Sequence, residues 1–218
     1  MIRAGEPYRL FGQLLREAVG EANTVLDIGT SQRFAKELAP YRRLLVEHNY
    51  RAAGYHPADF GTDTCDLDLD IQAIDLPDDS QDCVICLEVL EHVRDPFRAA
   101  RELVRVLAPG GRLLLTVPFM TGYHGKGDTA DHSGYPDFWR FTHQGLAALF
   151  GDLDELTIRP VAGPMETRLR FLRLDGMVDA APLRSILDRF DRPRLGRLTN
   201  RHIVTGHKPQ HSDSGTAP

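Results

Sequence analysis

Three signals in fixed order constrain this chain most. Val25-Leu26-Asp27-Ile28-Gly29 is a short apolar stretch that ends in an acid and a glycine. About sixty residues on, Leu87-Glu88-Val89-Leu90-Glu91-His92-Val93 closes a second apolar run with an acidic turn. Leu107-Ala108-Pro109-Gly110-Gly111-Arg112 then stops a helix, because proline cannot continue one and glycine supplies positive φ at its end.

Hydrophobic periodicity between these signals alternates between helix and strand. Leu10, Phe11, Leu14, Leu15, Ala18 and Val19 recur at helical spacing and predict an amphipathic helix over 7–20 that covers a sheet. Val25 to Ile28 reads as a first strand, Phe34 to Ala39 as a helical stretch interrupted by Pro40, and Tyr41 to His48 as its resumption. Tyr50 to Tyr55 and Thr62 to Leu67 read as the second and third strands. Cys83 to Leu87 is a buried strand, Pro96 to Leu107 a helix with Phe97, Ala100, Leu103, Val104 and Leu107 on one face, and Arg112 to Val117 a further strand. Leu156 to Val161 and His202 to Lys208 read as two terminal strands. The expected class is α/β, a doubly wound and mostly parallel sheet with an antiparallel C-terminal strand. Ligands of such sheets bind along the carboxyl ends of the strands.

Composition fits one such domain. With 218 residues, 42% of them hydrophobic, the chain can bury one substantial core. A net charge of −5 gives no reason to expect nucleic acid as a partner. Cys83 and Cys86 stand three apart on one strand, so they face opposite sides and read as core filling, and three cysteines point to a reducing compartment. No apolar run reaches the length of a membrane span, and the cytoplasm is the expected location. The expected organisation is one domain over 1–208, with a core at 24–118, a lid and acceptor region at 119–150, a basic part at 151–208 and a disordered tail at 209–218. Oligomeric state leaves no mark in the sequence.

The three signals, at these spacings, resemble the class I S-adenosylmethionine-dependent methyltransferases, in particular the type 11 branch, over Val25 to Phe150. The resemblance implies a Rossmann-like fold and S-adenosyl-L-methionine as cofactor. It places Asp27 at the cofactor's charged methionine end and Gly29 in the turn below it. Thr30 and Ser31 stand where the family has further glycines, and their hydroxyls can replace backbone donors to the cofactor carboxylate. Where the family has an acid for the ribose hydroxyls, this chain has Gly54 and Tyr55. Asp66 and Asp70 are the candidates for the adenine amino group, and Leu87 and Glu88 for the pocket wall. Glu91 and His92 read as a helix-start or satisfied surface pair, with His92 mainly ordering the turn, not as a catalytic pair.

After the fifth strand comes a long glycine-punctuated stretch, Phe119 to Asp128, leading into Asp131 to Thr142. Long loops at the ligand edge are commonly lids or binding loops. Pro136-Asp137-Phe138-Trp139-Arg140-Phe141-Thr142 resembles an element found after Val-Pro-Phe and a histidine in a subset of type 11 proteins. His124 is the candidate catalytic residue, and Phe119, Tyr123, His132, Trp139 and Arg140 are candidates for contact with the acceptor. The plainer reading of Trp139 and Phe141 is a hydrophobic plug, with Arg140 paired to an acid. His124, Asp128, Asp131 and His132 make a conceivable metal cluster, but their spacing matches no zinc signature, and no metal is expected.

Arginines from Arg168 to Arg201 outnumber the acids around them and make a local basic surface, read either as solvated helix or as a greeting for an acidic acceptor. The resulting expectation is methyl transfer to a small-molecule or glycoconjugate acceptor. A non-catalytic relative of the fold, acting as a binding or regulatory subunit, is the second reading, motivated by the missing glycines and ribose acid. A nicotinamide dehydrogenase ranks third, because no Gly-x-Gly-x-x-Gly follows the first strand.

Overall fold

The computed structural model describes residues 6–30, 36–55, 65–125, 135–193 and 198–210. Seven strands make one sheet: β1 (Val25–Ile28), β2 (Tyr50–Gly54), β3 (Leu67–Asp68), β4 (Gln81–Leu87), β5 (Leu107–Pro118), β6 (Asp154–Pro160) and β7 (Arg201–His207). Their order is β3-β2-β1-β4-β5-β7-β6. The first five pair in parallel, and β7 runs antiparallel between β5 and β6. The expected fold class is what the chain adopts.

Strand periodicity of two separates the core into two layers. Leu26, Ile28, Val84, Cys86, Leu113, Leu115 and Val117 face one side, where α3 (Pro96–Val106) and α4 (His143–Phe150) cover them with Ala99, Ala100, Leu103, Leu146 and Phe150. Val25, Cys83, Ile85 and Leu114 face the other, under Phe11, Leu14, Leu15, Ala18 and Val19 of α1 (Glu6–Val19). Cys83 and Cys86 thus fill opposite core layers as free thiols. Side-chain caps start both helices of the first layer: Asp95 accepts from Arg98 N at 2.9 Å, and Thr142 Oγ1 accepts from Gly145 N at 3.1 Å.

Four local expectations need correction. The third strand is Leu67–Asp68, at the end of the expected span, and 56–64 lie outside the described residues. Phe97 is 55% exposed; the inner face of α3 is Pro96, Ala99, Ala100, Leu103 and Val106, a phase one step from the expected one. Pro109-Gly110-Gly111 does not cap α3, which ends at Val106, but shapes the start of β5. Gly110 has φ +77°, and a Cβ on Gly111 would lie 2.7 Å from Ala108 O and 2.9 Å from Gln81 O, so the close approach of β4 requires glycine. Pro40 lies within a 3-10 turn, Lys36–Tyr41, and a short α2 (Arg42–Val46) follows; Phe34 is outside the described residues.

Between β6 and β7 the chain forms α5 (Pro164–Phe171), α6 (Asp175–Val178) and α7 (Ala181–Phe190). Part of the charge expected on this surface is engaged internally. Arg170 bonds Glu166 and Asp179, both at 2.9 Å, and the Asp191 carboxylate accepts from Met165 N and Glu166 N at the start of α5. No helix among the described residues is long and apolar enough to cross a membrane.

Candidate active site

Parallel strands bring the ends of β1, β2, β4 and β5 to one edge, and antiparallel β7 adds its amino end there through the Pro118–Arg201 pair. Asp27, only 3% exposed, lies at this edge and accepts a hydrogen bond from Tyr50 Oη at 2.5 Å. Tyr50, whose register places it beside Val25, is a site residue that the sequence reading missed. Gly29 turns the chain with φ +82°, and a Cβ there would lie 2.2 Å from Val89 Cγ2. Its N–H donates to Ala53 O at 2.8 Å, and Thr30 N donates to the same oxygen at 3.3 Å. Thr30 is buried, with its carbonyl accepting from Cys65 Sγ at 3.2 Å; Ser31 lies outside the described residues.

Gly54 ends β2 beside Asp68, and Tyr55 is largely exposed just beyond it. The Asp66 carboxylate accepts from Ala52 N at 2.8 Å while Asp66 N donates to Ala52 O, so this acid stitches the end of β2 to the segment before β3. Asp70 accepts from Gln72 N at 2.8 Å, closing a local turn. The inserted residues after it are anchored on α3: Arg105 donates to Leu76 O and Ile74 O and pairs with Asp78 and Glu102.

Past β4, Glu88 adopts φ +56°, a left-handed conformation rare outside glycine, and its N–H donates to Thr116 O at 2.9 Å. Burial raises the Glu88 pKa against the opposing pull of Arg201, and its Oε1 has no hydrogen-bond partner among the described residues. Glu91 is completely buried, and neither of its carboxylate oxygens makes a hydrogen bond among those residues. Two histidine rings approach it instead, His92 Nε2 at 3.5 Å and His124 Nε2 at 3.4 Å from Oε1. The sequence reading had Glu91 and His92 as a helix-start or surface pair with His92 ordering the turn; Glu91 is instead fully buried. His92 does part of that work, with Nδ1 2.5 Å from Pro136 O.

Residues 119–125 and 135–141 lie against this edge. Phe119 N and Met120 N extend the β5–β7 pairing onto Asn200 O and Thr199 O, and the Phe119 ring tilts against His202. Tyr123 is 71% exposed. Polar contacts of the His124 ring lie at 3.4–3.6 Å, to Glu91, Gly122 O, Arg140 Nη2 and Asp137. Glu91 raises the His124 pKa most; burial opposes it, and Asp137 adds to the rise. Trp139 Nε1 donates to Val93 O at 2.8 Å, and Phe138 N and Trp139 N both donate to Glu91 O. Arg140 forms a two-bond pair with Asp137 (2.5 and 2.7 Å) and donates to Thr121 O and Gly122 O. Despite the burial that opposes it, this pairing and the His124 N–H hold the Asp137 carboxyl at about 2. For Trp139 and Arg140 the plainer reading, loop packing and an acid pair, describes their polar atoms. His132, Asp128 and Asp131 lie outside the described residues.

This edge, with an acid, a left-handed glycine and a buried carboxylate cluster over a 3-2-1-4-5-7-6 sheet, defines a class I methyltransferase fold. Residues 13–115, somewhat under half of the chain, match the family model described as a methyltransferase domain, and over that span the chain resembles the type 11 branch. An uncharacterized 37.1 kDa protein in transposon TN4556 of Streptomyces fradiae is 35% identical over 105 residues, 48% of this chain and 26% of that protein. The chain thus matches about a quarter of the length of this curated relative. Among solved structures, the [4+2]-cyclase SpnF has 19% identity and a TM-score of 0.53, covering 96% of this chain and 84% of its own. Phosphoethanolamine N-methyltransferase 2 of Haemonchus contortus, in complex with S-adenosyl-L-methionine, has 15% identity and a TM-score of 0.53, covering 93% of this chain and 53% of its own.

Proposed function

We propose that the chain transfers a methyl group from S-adenosylmethionine to a small-molecule or glycoconjugate acceptor. The observation that carries this reading is the edge where buried Asp27, held by Tyr50, stands over the left-handed turn at Gly29. The fit is further supported by Glu88 Oε1, a buried acceptor at the same edge with no protein donor among the described residues. Bound there, the cofactor supplies a methyl group already activated on a sulfonium, so the protein's work is to bind, align and exclude water.

Asp27 takes the ammonium of the methionine end, with Thr30 and Ser31 on the carboxylate side. Gly54 and Tyr55 flank the ribose, Asp66 and Asp70 stand on the adenine side, and Leu87 and Glu88 form the wall. His124 serves the acceptor end. Its loose contacts allow the ring to turn and take a proton from an oxygen or nitrogen acceptor, and the Glu91 carboxylate stabilises the imidazolium so formed. The segments on either side of Arg140 keep water out. Phe119, Tyr123 and His132 are the acceptor-facing candidates.

Calorimetry with S-adenosylmethionine and its demethylated product tests the cofactor half. The wild type is expected to bind, and Asp27→Ala to bind about tenfold or more weakly, as loss of a charged hydrogen bond costs about 1.5–3 kcal/mol. Unchanged affinity in a folded variant removes Asp27 from the site. The second reading, a fold relative that does not transfer methyl groups, draws on the absent ribose acid and on a fold neighbour described as a cyclase. Absence of cofactor binding by the wild type would favour it. Binding without methyl transfer to any of a panel of hydroxyl and amine acceptors would favour it too.

A further inference from the structure

We infer that Glu91, His92 and His124 form a binding site for one divalent transition-metal ion of the zinc class. No residue that carries this inference is needed to hold the cofactor; with an ion on Nε2, His124 is not available as the acceptor's base, so the base role proposed above belongs to the metal-free protein.

Geometry comes first. Donors bound to zinc at about 2.0–2.2 Å and at the tetrahedral angle lie roughly 3.3–3.6 Å apart. His92 Nε2 and His124 Nε2 stand 3.5 and 3.4 Å from the same carboxylate oxygen, and the three donor atoms all lie within 4.8 Å of one another. The two rings cross at 89° with centroids 5.1 Å apart. Two imidazoles and one carboxylate are the ligand set of open zinc sites, which keep a fourth position for water or substrate.

The surroundings fix the rings as they are fixed around bound metals. His92 Nδ1 lies 2.5 Å from Pro136 O, which can only accept, so Nδ1 is the donor there and Nε2 is the nitrogen turned toward Glu91. His124 Nδ1 faces Gly122 O at 3.4 Å, the Asp137 carboxylate at 3.6 Å and, on its other side, Arg140 Nη2 at 3.4 Å. A carbonyl or carboxylate on the far nitrogen is the usual orienting partner of a metal-bound imidazole. Glu91 is completely buried and neither oxygen makes a hydrogen bond among the described residues, so its charge calls for a cation beside it. A cation at the centre of the three donors would supply it. The His124 side chain is 37% exposed, so solvent reaches one member of the cluster. The ion would tie the segment after β5 to the turn after β4.

The test uses the untagged full chain, stripped with a chelator, dialysed, and titrated with zinc and with cobalt, in the absence of S-adenosylmethionine. Expected are one tightly held ion per chain, a four-coordinate cobalt spectrum in the visible range, and a zinc-dependent rise in melting temperature. His92→Ala and His124→Ala should each weaken zinc binding about 100-fold or more, since loss of even an outer partner costs 10–100-fold. His207→Ala, at the opposite edge of the sheet, should bind like the wild type. Should the alanine variants misfold, X-ray absorption on the zinc-loaded wild type counts two imidazole ligands independently of them. Zinc held no more tightly by the wild type than by the folded His92→Ala and His124→Ala variants would overturn the site, as would a six-coordinate cobalt spectrum. In that case protonated histidines neutralise Glu91. Loss of methyl transfer with intact zinc binding would count against the proposed function alone.

Discussion

Gly29 carries two demands at once. Its φ of +82° disfavours any L side chain, and Val89 occupies the place of a Cβ. Gly29→Ala should therefore cost about 1–3 kcal/mol in strain before any clash is counted, and it should also shift the turn beneath the methionine end of the cofactor. Thermal denaturation and cofactor calorimetry on the same variant are the checks; a variant as stable and as competent as the wild type would contradict the geometry. His202 makes a second residue-scale case. Burial is the main reason its pKa falls to about 4, His143 contributes, and a hydrogen bond with the Phe141 backbone acts against it. The folded state thus favours the neutral ring, whereas the unfolded chain takes up a proton near pH 6.5. Stability from this residue is complete above about pH 6.5 and lost as pH falls toward about 4, by roughly 3 kcal/mol. Denaturant titrations between those pH values should show a steeper fall for the wild type than for His202→Gln.

At the scale of elements, the Asp137–Arg140 pair is the latch of the segment after β5. It holds Thr121 O and Gly122 O on one side and the Phe138–Trp139 backbone, bonded to Glu91 O, on the other. Asp137→Asn is expected to cost about 2–4 kcal/mol, somewhat under the range for a fully buried pair because Arg140 is partly exposed. Hydrogen exchange at the amides of Phe138 and Trp139 should accelerate more than that of β4; uniform acceleration across the sheet would mean that the latch serves the whole fold. Elements were legible in the sequence where one signal outweighed its rivals. β1, β4 and α3 combine strong periodicity with a proline or acidic stop. β3 was placed too early, at Thr62 to Leu67, because alternating Asp and Leu from Asp66 to Asp70 fits several registers equally well and the strand forms at Leu67–Asp68. Phe97 was misassigned because α3 starts at Pro96 on its buried side, and that phase depends on where the helix docks. The candidate site was half legible. Asp27 and Gly29 sit inside a local motif, whereas Glu91 and His124 meet only because β4 and β5 are neighbours, and nearness along the chain drew attention to Asp128, Asp131 and His132 instead.

For the whole molecule, the position of β7 has a consequence for how the protein is made. Residues 201–207 pair with β5 on one side and β6 on the other, so the last strand among the described residues fills an interior slot. Until it emerges from the ribosome, β5 presents the bare backbone of Arg112–Pro118 and β6 lacks its only strand neighbour. Such long-range closure is slow, and an open edge in the middle of a hydrophobic sheet invites pairing with other chains. A chain ending before Thr199 is expected to precipitate on release, even though it retains the whole of residues 13–115, and supplying a peptide of residues 198–210 during refolding should recover soluble material. Nascent protein should accordingly depend on holding chaperones until residues 201–207 arrive.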